Sequence, residues 1–183
     1  MSAEPKLVPT SSQTVGPFFR IGLEHLIDCA VPSEPDAQGI VTIRGQVLDR
    51  DRAPVFDAML EFWNASNAAA GTSNADFPSG FARTATDVDG NFRVRMTRPA
   101  PISLGDGSAQ APHMLVLVFA RGLLRHLVSR VYLDGGHEDV ADPVLSTIPA
   151  DRRRTLIAQC DGVNSFRWNV VLQGDDETVF FAW

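Results

Sequence analysis

Two cysteines, Cys29 and Cys160, are too few and too far apart for a disulfide framework or a C-x-x-C metal knuckle, so reduced structural thiols are expected. No apolar run approaches the roughly 20 residues that span a bilayer. The opening M-S-A-E-P-K-L-V-P-T also lacks the charged and apolar stretches of a signal peptide, and a soluble cytoplasmic protein with no membrane partner is expected. Positive charge is scarce: 16 Lys and Arg face 22 Asp and Glu, a net charge of −6, and one basic cluster, Arg152-Arg153-Arg154, sits beside Asp151. That balance argues against nucleic acid as a partner. No low-complexity linker divides the chain. One domain over 1–183 is expected, large enough to bury a core without staples, with an N-terminal arm over about residues 1–20.

What is present is a β pattern. From Ile40 to Leu48, Val41, Ile43 and Val47 alternate with Thr42, Arg44 and Gln46, the period of a strand with one buried face. Met59 to Trp63 and Leu127 to Leu133 read as further strands, as does Phe92 to Met96, entered through the turn Asp87-Val88-Asp89-Gly90. The acidic pair in that turn lacks the rest of a calcium loop and is read as a turn. Phe166 to Leu172 alternates Phe166, Trp168 and Val170 with Arg167 and Asn169. Asp28 to Gly39, Asn64 to Gly80 and Pro99 to Pro112 are loops, the last two long enough to serve a site or a partner. One short helix is expected from a cap at Thr147 through Gln159. Strands with turn signals between them predict an all-β fold, an antiparallel β-sandwich with long loops.

The central strand is expected in A-P-H-M-L-V-L-V-F-A-R, Ala111 to Arg121, where Met114 to Phe119 fit a strand buried on both faces. A histidine, His113, enters it and an arginine, Arg121, leaves it. His25, His126 and His137 have no ligand spacing with His113, which is read as a buried, hydrogen-bonded histidine. Arg121 fits either an ion pair at a strand end or an anion-holding role beside a pocket. The segment Ser11 to Arg20 turns at Gly16-Pro17 and is either an arm packing Phe18 and Phe19 on the domain or one laid over a pocket or a neighbouring subunit, offering Thr14 and the Gly16 backbone. The chain closes on Glu177 to Trp183, an apolar end that this domain or another chain must cover.

Seven motifs in order carry a resemblance over nearly the whole chain. They are S-Q-T-V-G-P-F (Ser12 to Phe18), R-G-Q-V-L-D (Arg44 to Asp49), L-E-F-W (Leu60 to Trp63), F-A-R-T-A-T (Phe81 to Thr86), A-P-H-M-L-V-L-V-F-A-R-G (Ala111 to Gly122), R-V-Y-L (Arg130 to Leu133) and G-D-D-E-T-V-F-F (Gly174 to Phe181). Together they resemble the intradiol ring-cleaving dioxygenases, in particular the α chains of members built from unlike α and β chains. The resemblance implies the family's β-sandwich and a ferric ion held by two tyrosines and two histidines, the histidines as H-x-H on the strand matching Ala111 to Arg121. Here that pattern reads His113-Met114-Leu115, and leucine cannot ligate iron. The single tyrosine, Tyr132, lies outside the two long loops where the family's ligands should fall.

By resemblance, then, this chain carries no catalytic or metal-binding residue of its own, and Fe(III) belongs to a β subunit. The expected partner is that β subunit, in a hetero-oligomer of αβ units acting on an aromatic carboxylate. Thr14, Gly16, Pro17 and Arg121 carry over as substrate-pocket residues, and an arginine suits a carboxylate in a partly desolvated site. Two alternatives stay open on the residues alone: a non-enzymatic β-sandwich binding or assembly module, and a homo-oligomeric dioxygenase whose missing ligands are replaced by carboxylates.

Overall fold

The protein was analysed as a computed structural model that describes residues 8–27, 39–64, 66, 80–136 and 141–182. The expected loops over Asp28 to Gly39 and Asn64 to Gly80 fall largely outside those residues, as do Cys29, His137 and Trp183. The strands are β1 Ile40–Leu48, β2 Met59–Trp63, β3 Phe81–Ala85, β4 Asn91–Thr97, β5 Ile102–Ser103, β6 Ala109–Gln110, β7 His113–Phe119, β8 Leu127–Leu133, β9 Ile157–Cys160, β10 Ser165–Arg167 and β11 Val170–Val171. Three short helices accompany them, α1 Pro17–Leu23, α2 Pro143–Thr147 and α3 Ala150–Arg153. No helix among the described residues is long and apolar enough to cross a membrane.

Two layers make the sandwich. Strands β3, β2, β7 and β8 pair antiparallel in that order, and β7 is an interior strand with β2 on one side and β8 on the other. The second layer is built on β1, which pairs antiparallel with β4 and parallel with β10 and β11. Strand β9 joins the layers, parallel to β8 and antiparallel to β10. The parallel pairs are the departure from a purely antiparallel sandwich. A parallel neighbour needs a crossover, and the chain between β8 and β9, with α2 and α3, supplies one.

The core lies between the layers. From β7, Met114, Val116 and Val118 are fully buried against a cluster that includes Val41, Ile43, Phe62, Phe92 and Trp168. The other face of β7 differs from the expectation of burial on both sides: Leu115, Leu117 and Phe119 are half-buried, and His113 shares their face by the two-residue period. An apolar run marks a strand but cannot say that both faces are covered.

Other differences have local causes. Strand β3 is short and starts where the Gly-, Ser- and Asn-rich tract ends, so composition hid it. The expected helix is displaced and shortened: Thr147, expected as its cap, is instead the last residue of α2, which Asp142 caps with its Oδ1 accepting the Val144 and Leu145 amides at 2.8 Å. The helical path resumes at α3 and stops at Leu156, because Ile157–Cys160 is strand β9. The chain end is covered by its own domain only in part: Val179, Phe180 and Phe181 are half-buried and Ala182 is exposed. Thr178 is buried and exchanges bonds with Val171, and the Phe181 amide donates to the Val128 carbonyl at 2.8 Å.

The expected last strand is split into β10 and β11 by a close crossing. A Cβ on Gly45 would sit 1.6 Å from the Trp168 carbonyl oxygen. Around it, the Trp168 amide donates to the Arg44 carbonyl at 2.8 Å, and the Asn169 side chain accepts the Gln46 amide at 3.0 Å in place of a backbone acceptor. A methyl group here must push apart two backbones inside the core layer. Gly45→Ala is expected to cost about 3 kcal/mol or more and to lower the melting temperature by about 5–10 °C. An unchanged thermal transition would show that the crossing relaxes freely.

Candidate functional site

Two groups of polar residues flank β7, one at its start and one at its end. At the start, His113 is 6% exposed and its Nδ1 lies 2.8 Å from the Ala111 carbonyl oxygen, which can only accept, so Nδ1 carries the proton. Its cross-strand partner on β8 is Tyr132, with ring centroids 5.5 Å apart. The Tyr132 hydroxyl meets Arg130 Nη1 and Asp142 Oδ2, each at 3.4 Å. Asp142 is also buried, and its Oδ2 accepts the Ala111 amide at 2.9 Å while its Oδ1 caps α2.

These residues do not fit a ferric centre of the phenolate and imidazole type. The Tyr132 hydroxyl is turned to Arg130 and Asp142 inside the sheet, and burial pushes its pKa up to about 12. His113 offers a single acceptor nitrogen, Nε2, and the residue two places on along its face is Leu115, which has no donor atom for a metal. Among the described residues, no group of three or more His, Cys, Asp or Glu is placed to hold a metal. The reading of His113 as a buried, hydrogen-bonded histidine describes its geometry.

At the far end of β7 the N-terminal arm meets the strand. Thr14 Oγ1 accepts the Gly122 amide at 2.8 Å, which ties the arm to the turn after β7. Gly16 is the N-cap of α1, and Phe19, one turn in, stacks on Phe119 with centroids 5.2 Å apart. A cavity of about 150 Å³ lies beneath, lined by Val15, Gly16, Asp57, Met59, Phe119 and Arg121 among others. Arg121 Nε pairs with Asp57 Oδ2, and its guanidinium carbon lies 5.3 Å from the Phe56 ring centroid.

Of the four pocket residues expected from the sequence, Gly16 and Arg121 therefore share one cavity, and Thr14 is bonded beside them. Pro17 opens α1, but its side chain lies outside the described residues. Arg121 makes the ion pair of its structural reading, and its side chain stays 58% exposed beside the cavity it helps to line. Asp57 and Asp142 were not singled out by the sequence. Each acts on residues far along the chain, and one carboxylate among 22 acidic residues carries no signal of its own.

Next to this cavity, sharing Val15 and Phe119, is a largely apolar groove of about 720 Å³ between the turn after β7 and the chain end, with Leu123, Leu124, Phe180 and Phe181 in its wall. Leu124 is 62% exposed.

A family model described as Dioxygenase matches residues 16–174. The chain is 40% identical to the protocatechuate 3,4-dioxygenase alpha chain of Burkholderia cepacia, across 96% of this chain and 98% of that one. It is 26% identical to the protocatechuate 3,4-dioxygenase beta chain of the same organism, across 79% of this chain and 68% of that one. Among solved structures, catechol 1,2-dioxygenase from Pseudomonas arvilla C-1 superposes with a TM-score of 0.58 at 19% identity, over 78% of this chain and 54% of that one, a likeness of fold.

The buried histidine makes one solution property testable. Burial, with the nearby Arg130 charge adding to it, holds the His113 pKa below the usual imidazole value, against the opposing pull of the Ala111 carbonyl and Asp142. The unfolded chain then takes up a proton before the native one as pH falls. This contribution to stability is complete above about pH 6.5 and is lost below it, by at most about 1.4 kcal/mol per pH unit. His113→Gln is expected to flatten the fall in denaturant midpoint between about pH 7 and 5. An identical slope in the variant would show that His113 is not the group that titrates.

Proposed function

The chain belongs to the dioxygenase family matched over residues 16–174, and from that premise we propose that it is the α chain of a protocatechuate 3,4-dioxygenase. In this reading the enzyme cleaves protocatechuate between its two hydroxyl-bearing carbons, and both atoms of dioxygen enter the product, 3-carboxy-cis,cis-muconate. Fe(III) is assigned to a β subunit. This chain, whose donors at β7 do not suit that metal, supplies a wall of the substrate pocket and a surface for assembly.

The observation that carries the reading is the half-built cavity at the end of β7. At about 150 Å³ it falls short of the roughly 300–1,000 Å³ of a self-sufficient small-molecule site. Yet it gathers Gly16 and Arg121 beside Thr14 and borders an exposed apolar groove. A pocket wall completed by a second chain accounts for both. The groove takes the β subunit, and burying Leu124 and the Phe180–Phe181 end there removes apolar surface from water.

Within that pocket Thr14, Gly16, Pro17 and Arg121 form the side contributed by this chain. Arg121 is the cation for the substrate carboxylate. Asp57 fixes its Nε and leaves the outward part of the guanidinium to an anion at the mouth. The pocket wall acts by binding and orienting the ring, and no proton is taken by any of these residues.

In the αβ complex, Arg121→Ala is expected to lower kcat/KM for protocatechuate by about 10- to 100-fold, the range of a lost charge-assisted hydrogen bond. Iron content and turnover of catechol, which lacks the carboxylate, should stay near wild type. Equal losses on both substrates would assign Arg121 to structure through Asp57. Unaltered kinetics for carboxylated catechols would remove it from the pocket.

A further inference from the structure

The outer face of the second layer carries a charge pattern opposite to that of the whole chain. Arg44 on β1 stands directly opposite Arg93 on β4 and also in register with Arg167 on β10. Three guanidinium groups thus share one row across three neighbouring strands, a span of about 10 Å. All three residues are exposed. Arg95 lies one row along, opposite Thr42, and Arg98 lies beyond it, over the Phe166 ring.

Like charges placed directly opposite one another in a sheet are destabilising, and the described residues offer the row of Arg44, Arg93 and Arg167 little relief. Asp161 pairs with Arg167 at 3.2 Å, with the arginine side chain still 68% exposed. Asp87 borders the same groove, but its carboxylate is occupied by the Asn91 side chain and by the Asp89 and Asn91 amides. Among the described residues, neither the Arg44 nor the Arg93 side chain makes an ion pair, a hydrogen bond or a ring contact. The row lines a groove of about 630 Å³ that also includes Gln46 and Asn169.

We infer that this face of β4, β1 and β10 docks an acidic segment of a neighbouring polypeptide chain in the assembled enzyme, as an interface separate from the apolar groove by the N-terminal arm. The inference rests on the assembly reading above for its partner. Charge complementarity selects the occupant. In a chain of net charge −6, a row whose Arg44 and Arg93 side chains have no partner among the described residues is a place where carboxylates are attracted. Openness selects a polypeptide over a small anion. A small ligand is normally enclosed over most of its surface, and at an exposed site salt screens its attraction. A chain carrying two or more carboxylates covers the row as it pairs with it, excluding water and strengthening each contact.

The test uses the α chain co-expressed with its β chain, with mass measured by light scattering at about 0.05 M and about 0.5 M salt. Wild-type complex should lose mass at the higher salt. Arg44→Glu with Arg93→Glu should show, already at low salt, a mass reduced about twofold or more while β chain still copurifies. Should the glutamate pair fail to fold, Arg44→Gln with Arg93→Gln gives the same readout. Arg93→Gln alone should raise the melting temperature of the free α chain by about 1–3 °C, because it removes a like-charge pair.

Unchanged mass and an unchanged salt profile in the double variant overturn the inference. So does binding of citrate by wild type and not by the variant at constant mass, which would assign the row to a small anion. A wild-type α chain that captures no β chain contradicts the proposed function instead, and the same mass comparison on the α chain alone then decides this inference.

Discussion

The buried carboxylate of Asp142 is the contact on which the His113 end of β7 depends. Its Oδ2 takes the Ala111 amide where the chain enters β7, and its Oδ1 takes two amides at the start of α2. The same Oδ2 faces the Tyr132 hydroxyl across β8. One anion thus binds the start of the interior strand, its neighbour and the crossover that returns the chain as β9. Hydrogen bonds to charged acceptors contribute about 1.5–3 kcal/mol each, so removing this group would loosen three elements together. A hydrogen-bond network organises the face that His113 and Leu115 occupy, with the phenol of Tyr132 held protonated inside it.

The opposite end of β7 is organised for contact. Thr14 and Phe19 fasten the arm to the strand, while Arg121, the small cavity and the apolar groove remain open at the surface. Closed at one end and open at the other, the strand explains how a dioxygenase fold persists in a chain whose own donors do not suit iron. Selection on packing keeps the sandwich. Function moves to the surfaces that meet another chain. The arginine row on the second layer follows the same logic, since an exposed row of like charges costs the isolated chain stability and gains its purpose against a partner.

Much of the fold was legible because its long strands bury one face. Ile40–Leu48, Met59–Trp63 and Leu127–Leu133 appear where alternation or a bounded apolar run placed them. What stayed hidden was set by contacts between distant residues. Gly45 has no side chain to announce that Trp168 crosses over it, yet that crossing divides β10 from β11. The helix pattern around residue 150 was read through to Gln159 because helix propensity does not register the pairing of β9 with β8 and β10. At the site, motif resemblance led to Thr14, Gly16 and Arg121, whereas Asp57 and Asp142 became visible only through the side chains and amides they meet.

The most direct test is iron and dioxygen use by the two forms of the protein. The α chain should be purified alone and together with its β chain, and each should be examined for bound iron, visible absorption and protocatechuate-dependent oxygen uptake. A colourless, inactive α chain beside a coloured, iron-bearing, active complex is the predicted result. Stoichiometric iron and turnover in the α chain alone would contradict it and require a metal site that the residues around His113 do not provide.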